Sequence, residues 1–299
     1  MDLHSLKENA RHGTVSFPLA FYEWAGRESW QIPLHWHDET ELIFFEKGDF
    51  QAWLNTKEFQ IKAPAIMCVH AGELHSLLLP EHALESAVVF NLNILSFEHY
   101  DSVQAKLIRP LIEGRMKMPL LLEPSASVFS RIKDRYLTIA EKIQKMNRCS
   151  PSREFEKNAL YLQIKATLYN LLATLYQENF LQCSGNFDPK SERQIENLKK
   201  VLSYIQEHYA APIKLEDLAS LVNLNPQYFC RYFKENIGKT ATRYIQEVRM
   251  EKAAEALAET NEKIITIAAD SGFDNIGYFI RKFREIKGVT PSEYRKKSK

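Results

Sequence analysis

The chain has 299 residues, a formal net charge of +1, 45% hydrophobic residues and 26% charged residues. This length favours two domains, and the composition is typical of a soluble globular protein. No hydrophobic run is long enough to span a bilayer, the N-terminus lacks a signal-peptide core, and the four cysteines lack CxxC spacing. We therefore expect a cytoplasmic protein with reduced thiols and no membrane partner.

Residues 15–93 show the pattern of short β-strands. Apolar or alternating runs are separated by turn-like breaks at residues 46–49 and 55–58. The predicted strands cover residues 15–24, 41–46, 50–54, 59–61, 65–69, 76–79 and 86–91. Many short strands at this spacing predict a sandwich or a small barrel.

A group of polar side chains lies within this strand region. The chain contains His35-x-His37-x-x-x-Glu41, and His75 follows later. In a strand, His35 and His37 share one face, as do His37 and Glu41 if the strand continues. Three histidines and a carboxylate could hold a divalent first-row metal. Alternatively, they are polar groups that line a sugar-sized pocket or its mouth. The remaining histidines, which lack such spacing, are interpreted as surface residues: His4, His12, His82 and His99.

The spacing of these four residues resembles the two cupin motifs, although His70 and Leu79 depart from the usual pattern. The resemblance covers about residues 17–90 and implies a barrel that binds a small effector and needs no cofactor. Most aromatic residues here are expected in the core. The expected effector pocket consists of His35, His37, Glu41, His75, Trp36 and Trp53. If a metal is bound after all, its ligands would be the histidines and the glutamate of that set.

Residues 94–187 change to a helical pattern with two apolar stripes. One stripe runs from Val128 to Met146, and a second, richer in leucine, runs from Leu160 to Leu175. Such a helix pair either packs on the barrel or forms a dimer interface. The leucine content of the second stripe favours a homodimer.

The strongest pattern in the chain is an internal repeat. NPQYFCRYFK begins at Asn225, and NIGYFIRKFR begins fifty positions later at Asn275. In each copy an asparagine cap precedes a helix with two phenylalanines at i and i+4, and a glycine ends it. A short amphipathic helix and a tight turn precede each copy, which is the helix-turn-helix pattern. The motifs cover about residues 215–236 and 264–286.

Burial of the phenylalanine pairs exposes the opposite face of each second helix. Arginine is the side chain best shaped for guanine edges and phosphates. A helix over residues 242–257, about 24 Å long, separates the copies and could hold them one DNA turn apart, roughly 34 Å. Single motifs of this kind are common in helical domains, but repetition at one offset favours DNA binding. The predicted DNA-binding residues are Gln227, Tyr228, Cys230, Arg231 and Lys234 in the first copy, and Ile276, Gly277, Ile280, Arg281 and Arg284 in the second.

Residues 198–295 resemble the DNA-binding domain of the AraC/XylS family. The matching elements are LEDLA from Leu215, the two F-x-R-x-F cores, RMEKA from Arg249 and G-x-TPSEYR from Gly288. The resemblance implies a reader of consecutive major grooves that acts in transcription with RNA polymerase as a partner. Ala241 departs from the aromatic residue common there. Ile276 and Gly277 are poor hydrogen-bond donors, so the second motif is expected to contribute more position than base recognition.

These observations predict an α+β protein with an N-terminal cupin-like β-barrel and helical hairpin, then an all-α C-terminal domain with two helix-turn-helix motifs. The expected segments are a barrel (1–100), a helical segment (101–182), a linker (183–192) and the DNA-binding domain (193–299). We expect a non-enzymatic regulator of double-stranded DNA, more an activator than a repressor, that responds to a small metabolite such as a sugar. The alternatives are a metal-binding cupin, as sensor or enzyme, fused to the DNA-binding domain, or a barrel that only assembles the protein.

Overall fold

The computed structural model describes residues 6–8, 11–150, 153–183 and 189–297. These residues divide into two units, one within Lys7–Asp188 and one that groups Leu6 with residues of Pro189–Lys299. In the described part of the chain, the first unit combines strands with a helical hairpin and the second consists of helices. The α+β fold class predicted from the sequence is therefore confirmed.

The strands of the first unit are β1 (Leu19–Trp24), β2 (Trp30–His35), β3 (Thr40–Lys47), β4 (Asp49–Leu54), β5 (Lys57–Lys62), β6 (Ala65–Val69), β7 (His75–Leu79), β8 (Leu84–Phe90), β9 (Met116–Lys117), β10 (Leu121–Leu122) and β11 (Gln182–Cys183). They form two main sheets. One has five strands in the order β1-β8-β3-β6-β10, and the other has four in the order β2-β7-β4-β5. The short β11 pairs with β9.

Strand β2 differs from the sequence prediction, which has no strand at residues 30–35. This segment contains Pro33 and no continuous apolar run, and β2 lies at the edge of its sheet, where proline is tolerated. The strand does not continue from His35 through His37 to Glu41, so the condition for His37 and Glu41 to share a strand face is not met. Strand β2 ends at His35 and β3 begins at Thr40, so a loop carries His37.

Two apolar cores lie on opposite faces of the five-stranded sheet. Ile43 and Phe45 point toward the four-stranded sheet and pack with Phe50, because alternate residues of a strand face opposite sides. Leu42 and Phe44 point the other way and pack under the helices. The first unit therefore has three layers: a four-stranded sheet, a five-stranded sheet and a helical hairpin.

The helical hairpin consists of α2 (Phe129–Arg148) and α3 (Glu154–Gln177), after the short α1 (Arg109–Ile112). Both predicted apolar stripes are buried within the chain, and Ser86 Oγ lies 2.9 Å from Tyr136 Oη where α2 meets β8. The leucine stripe of α3 is at most 6% exposed at each buried position. Intramolecular packing is therefore the role of this stripe, and its interpretation as a dimer surface is wrong.

The second unit contains seven helices in its described part. They are α4 (Pro189–His208), α5 (Leu215–Leu221), α6 (Pro226–Ile237), α7 (Ala241–Glu259), α8 (Ile264–Asp270), α9 (Ile276–Lys287) and α10 (Pro291–Lys297). Helix α4 begins inside the predicted linker, of which residues 184–188 lie outside the described residues. None of the described helices is long and apolar enough to cross a membrane.

The residues predicted to cap the helices lie at the helix ends in the structure. The Asn225 and Asn275 side chains accept hydrogen bonds from the third residue of each helix, at 2.8 and 2.9 Å. Gly238 and Gly288 end α6 and α9 in the left-handed conformation. At α10, Thr290 and Glu293 each bond the backbone amide of the other, which is a capping box.

Candidate functional site

The two helix-turn-helix turns are built alike. Asn223 and Gly272 stand two residues after the ends of α5 and α8, with φ of +55° and +81°. In each turn the next amide returns to the preceding helix: Leu224 to Ala219 at 3.0 Å, and Phe273 to Ala268 at 2.9 Å. The second turn is one residue longer before its asparagine cap, as the sequence predicts.

Helices α6 and α9 bury one face and expose the other. All four phenylalanines of the two F-x-R-x-F cores are 0% exposed. The exposed residues are Gln227, Tyr228, Cys230, Arg231 and Lys234 in α6, and Gly277, Ile280, Arg281 and Arg284 in α9. Ile276 is half-buried and packs against the core of the second motif, so its side chain is less available than predicted.

Each exposed helix carries an arginine over a tyrosine ring. The Arg231 guanidinium lies 5.3 Å from the Tyr228 ring, and the Arg281 guanidinium lies 5.6 Å from the Tyr278 ring. Stacking of this kind restrains a guanidinium without consuming all of its donors. Tyr278 was missed among the predicted site residues, although Y-F-x-R occurs in both copies of the repeat.

Helix α7 contacts both α6 and α9, the second helices of the two helix-turn-helix motifs, which we call the recognition helices. Tyr244 packs edge-on against Phe233 of α6, with ring centroids 5.8 Å apart. The Gln246 side chain donates to the Tyr278 hydroxyl of α9 at 3.0 Å. Arg249 ties the same helix to the segment after α4, through a 2.7 Å hydrogen bond to the Tyr209 carbonyl. Helix α7 is thus placed to set the separation of α6 and α9.

Three histidines of the first unit lie together, and each has one ring nitrogen close to the other two residues. A ligand atom from each of His35, His37 and His75 lies within 4.8 Å of the other two. Each Nδ1 contacts a backbone carbonyl, at 2.9, 3.1 and 2.8 Å in that order. Because a carbonyl only accepts, these contacts favour Nδ1–H donors and leave each Nε2 facing the cluster. We call these residues, with Glu41, the histidine cluster.

Two carboxylates, one of them Glu41 of the cluster itself, lie close to the histidine rings. Glu41 Oε2 lies 3.2 Å from His75 Nε2 and 3.5 Å from His37 Nε2. Two residues that the sequence did not single out join it: Glu8 Oε2 lies 3.5 Å from His35 Nε2 and 3.7 Å from His12 Nε2. The interpretation of His12 as a surface residue is wrong, because it is 5% exposed. His4 lies outside the described residues.

The electrostatics of the cluster differ from one histidine to the next. Burial, and after it the neighbouring His75, lowers the pKa of His35 to about 3. Burial also opposes charge on His37, but the Glu41 carboxylate outweighs it and raises the pKa of that ring. Burial would raise the pKa of Glu41, yet its bonds to His37 and His75 hold that pKa well below its ordinary value. The Glu41 carboxylate thus favours the charged form of His37, whereas the low pKa of His35 favours the neutral form of that ring.

The two tryptophans of the predicted pocket lie in different places. Trp36 directly follows β2, and the Lys7 ammonium lies 4.9 Å from its ring. Trp53 alternates with Ala52 and Leu54, which face the inner core between the sheets, so Trp53 is on the other face of β4. Trp53 therefore points away from the inner core, and the Trp36 ring lies against the N-terminal Lys7.

Known proteins resemble both units. Residues 19–82 match the family model of the AraC-like ligand binding domain, and residues 218–297 match that of a helix-turn-helix domain. The chain is 28% identical to the uncharacterized HTH-type transcriptional regulator YdeC of Bacillus subtilis (strain 168), over 98% of this chain and 96% of the relative. It is 23% identical to the HTH-type transcriptional activator RhaS of Mannheimia succiniciproducens, over 88% and 89%.

A solved structure is similar to about a third of the chain. The C-terminal domain of AraT, a response regulator from Geobacillus stearothermophilus, is 34% identical over 34% of this chain and 84% of that chain, with a TM-score of 0.33. The two family matches fall in the two units of the fold, in the same order along the chain, and the long relatives are HTH-type regulators. The chain therefore belongs to the AraC family of DNA-binding transcription regulators, with an N-terminal ligand-binding domain and a C-terminal helix-turn-helix domain.

Proposed function

We propose that Arg231 and Arg281 anchor α6 and α9 in successive major grooves of duplex DNA. The observation that carries this proposal is the pair of exposed arginines, each over a tyrosine, at equivalent positions of the two motifs. Gln227, Cys230 and Ile280 are the exposed side chains nearest the base edges in this arrangement. Lys234 and Arg284 are placed to contact phosphates, which adds affinity without sequence selection.

Substitution of the two arginines tests this assignment. A DNA duplex would first be selected from a random pool with the full-length protein. Its affinity for wild type, Arg231→Ala and Arg281→Ala would then be measured by titration. Each variant should lose about 1–3 kcal/mol of binding free energy and some site preference, because a bidentate base contact is lost. Arg153→Ala, an exposed arginine of the first unit, is the matched control. Unchanged affinity and site preference in both test variants would overturn the proposal.

We also propose that the first unit binds a small metabolite, such as a sugar, beside the histidine cluster. Buried Nε2 atoms and the carboxylates of Glu8 and Glu41 are acceptors, which suit a ligand rich in hydroxyl donors. Binding would change transcription, with activation through contact with RNA polymerase as the expected direction and the cytoplasm as the place of action. No catalytic step is assigned to the chain.

A thermal melt of the full chain tests the effector proposal. A ligand that binds only the folded state adds about 2.7 kcal/mol at a hundred times its Kd. A panel of sugars and small acids should contain a compound that raises the melting temperature of the wild-type protein. The same compound should shift Glu41→Gln less. A uniform absence of shifts across a panel that includes the regulated pathway's metabolites would contradict an effector role.

For the homodimer we propose a different surface of α3 from the one expected. A second apolar stripe on this helix has spacings of four and three residues and alternates large with small side chains. Its members are Phe155, Ala159, Leu162, Ala166, Tyr169, Ala173 and Tyr176. Phe155 and Leu162 are 94% and 69% exposed. An antiparallel second copy, related by a two-fold axis near Ile164, would place Phe155, Leu162 and Tyr169 opposite Ala173, Ala166 and Ala159.

A second candidate function for the first unit is metal sensing. The favouring observation concerns the half-buried His35 and the buried His37 and His75. Each Nδ1 contacts a backbone carbonyl, and one ring nitrogen of each lies close to the other two. Metal-binding histidines in proteins are oriented by this kind of backbone contact. His35, His37, His75 and Glu41 would hold a divalent first-row ion, which would supply a fixed positive charge that links the two sheets. Metal content of tag-free protein tests this candidate.

A further inference from the structure

The described N-terminal residues lie against the segment that joins β2 to β3. Lys7 forms a parallel bridge with Trp36, and its ammonium lies 2.6 Å from Asp38 Oδ2. The Glu8 amide donates to the Trp36 carbonyl at 2.8 Å. The backbone of Glu8 is therefore held beside the histidine cluster by main-chain contacts.

The Glu8 and His12 side chains enter the cluster from this segment. Glu8 is 8% exposed at its side chain, and its Oε2 approaches both His35 and His12. His12 Nδ1 lies 2.9 Å from the Tyr22 hydroxyl, while its buried Nε2 has no hydrogen-bond partner among the described residues. A ligand atom from each of Glu8, His12 and His37 lies within 4.8 Å of the other two.

The Glu8 carboxylate and the His35 ring do not satisfy one another. Because the His35 Nδ1–H is bonded to a backbone carbonyl, the Nε2 lone pair of the neutral ring faces the Glu8 carboxylate, so an acceptor faces an acceptor. A buried carboxylate beside such a lone pair is costly unless a cation compensates it. A single divalent ion would convert these acceptors into ligands.

We propose that Glu8 and His12 are ligands of a divalent transition-metal site that they share with His35, His37, His75 and Glu41. The inference rests on the metal-sensing candidate and extends it, because these two residues lie outside the motif that suggested a metal. Imidazole and carboxylate donors suit the zinc, cobalt, nickel and iron class better than magnesium or calcium. The bound ion would then tie the N-terminal segment to the sheets.

Cobalt is the probe for this site, because its visible absorption reports on the number and type of ligands. Tag-free full chain, stripped with chelator, would be titrated with Co²⁺ by absorption spectroscopy and by calorimetry. The variants are Glu8→Gln, His12→Gln and His75→Ala, with His82→Gln as the control in an exposed turn. A thermal melt in chelator establishes that each variant is folded before titration, and Glu8→Asp replaces Glu8→Gln if the latter is not.

Wild type and His82→Gln should bind one Co²⁺ per chain, and His75→Ala should lose most binding. Glu8→Gln and His12→Gln should each weaken binding at least about tenfold and shift the absorption band. Co²⁺ should also slow tryptic cleavage after Arg11 in wild type but not in Glu8→Gln. Wild-type affinity, spectrum and cleavage in both variants would overturn the inference and leave the metal candidate standing. A wild-type chain that binds no Co²⁺, Zn²⁺ or Ni²⁺ would remove both.

Discussion

At the scale of single residues, two glycines of the second unit share a backbone conformation but differ in their surroundings. Gly238 has φ of +75° with open space where a Cβ would stand. Gly272 has φ of +81°, and a Cβ there would lie 2.9 Å from the Tyr209 and Ala210 carbonyl oxygens and 2.8 Å from Arg249 Nε. The second motif therefore needs glycine for space as well as for conformation.

An alanine at each glycine separates these two requirements. Gly238→Ala should cost about 1–2 kcal/mol, from the left-handed conformation alone. Gly272→Ala should cost about 1–3 kcal/mol more, because the turn must move away from α4 and α7. Hydrogen exchange in increasing urea would measure the first cost in α6 peptides and the second in α8 and α9 peptides. Equal costs for the two variants would show that the close carbonyl contacts do not constrain the turn.

Glu85 makes the stability of the first unit depend on pH. Burial, and after it the charge of Glu41, raises the pKa of Glu85 from its ordinary value of 4.5 to about 8. A raised pKa means that its contribution to stability is complete below pH 4.5 and is lost as the pH rises through about 8. Glu85→Gln keeps the neutral shape, so the variant should gain stability over wild type between pH 5 and 9.

Tryptophan fluorescence can follow this effect, because all four tryptophans lie within residues 24–53 of the first unit. Urea midpoints of wild type and Glu85→Gln would be compared at several pH values, since the nearby histidines titrate in both proteins. A difference between the two that stays constant from pH 5 to 9 would mean that Glu85 does not titrate in this range.

At the scale of elements, α3 carries one apolar stripe that packs within its own chain and a second that is exposed except at the half-buried Tyr169. Leu162→Glu places a charge in the centre of the exposed stripe and should convert the proposed dimer to a monomer. Leu221→Glu, in an exposed position of α5, is the control. Light scattering would give the mass, relative to the chain mass of 34.8 kDa. A wild-type monomer at micromolar concentration, or a dimeric Leu162→Glu, would contradict the proposed surface.

Elements with strong local patterns could be predicted from the sequence, and others could not. The repeat from Asn225 and Asn275, with its caps and phenylalanine spacing, predicts α6 and α9 because helix ends depend on neighbouring residues. Strand β2 has a weak pattern because it is an edge strand that contains Pro33. The roles of the two α3 stripes depend on which face meets the sheet, and leucine content alone does not determine that.

At the scale of the whole molecule, the predictable part of the site was the part that lies in the two cupin-like motifs. His35, His37, Glu41 and His75 converge as their spacing suggested, although His37 does so from a loop. Glu8 and His12 join through the bridge between Lys7 and Trp36, a contact between segments nearly thirty residues apart. Neither residue has a local pattern that encodes this contact, so their part in the cluster is visible only in the fold.

We propose that α6 and α9, which α7 separates, bind adjacent turns on one face of the DNA. The most direct test is guanine-N7 methylation protection on a selected duplex with wild type, Arg231→Ala and Arg281→Ala. We predict two protected patches about one helical turn apart, roughly 10 base pairs, with each variant losing protection in a different patch. A single patch in wild type, or loss of the same patch in both variants, would contradict the account.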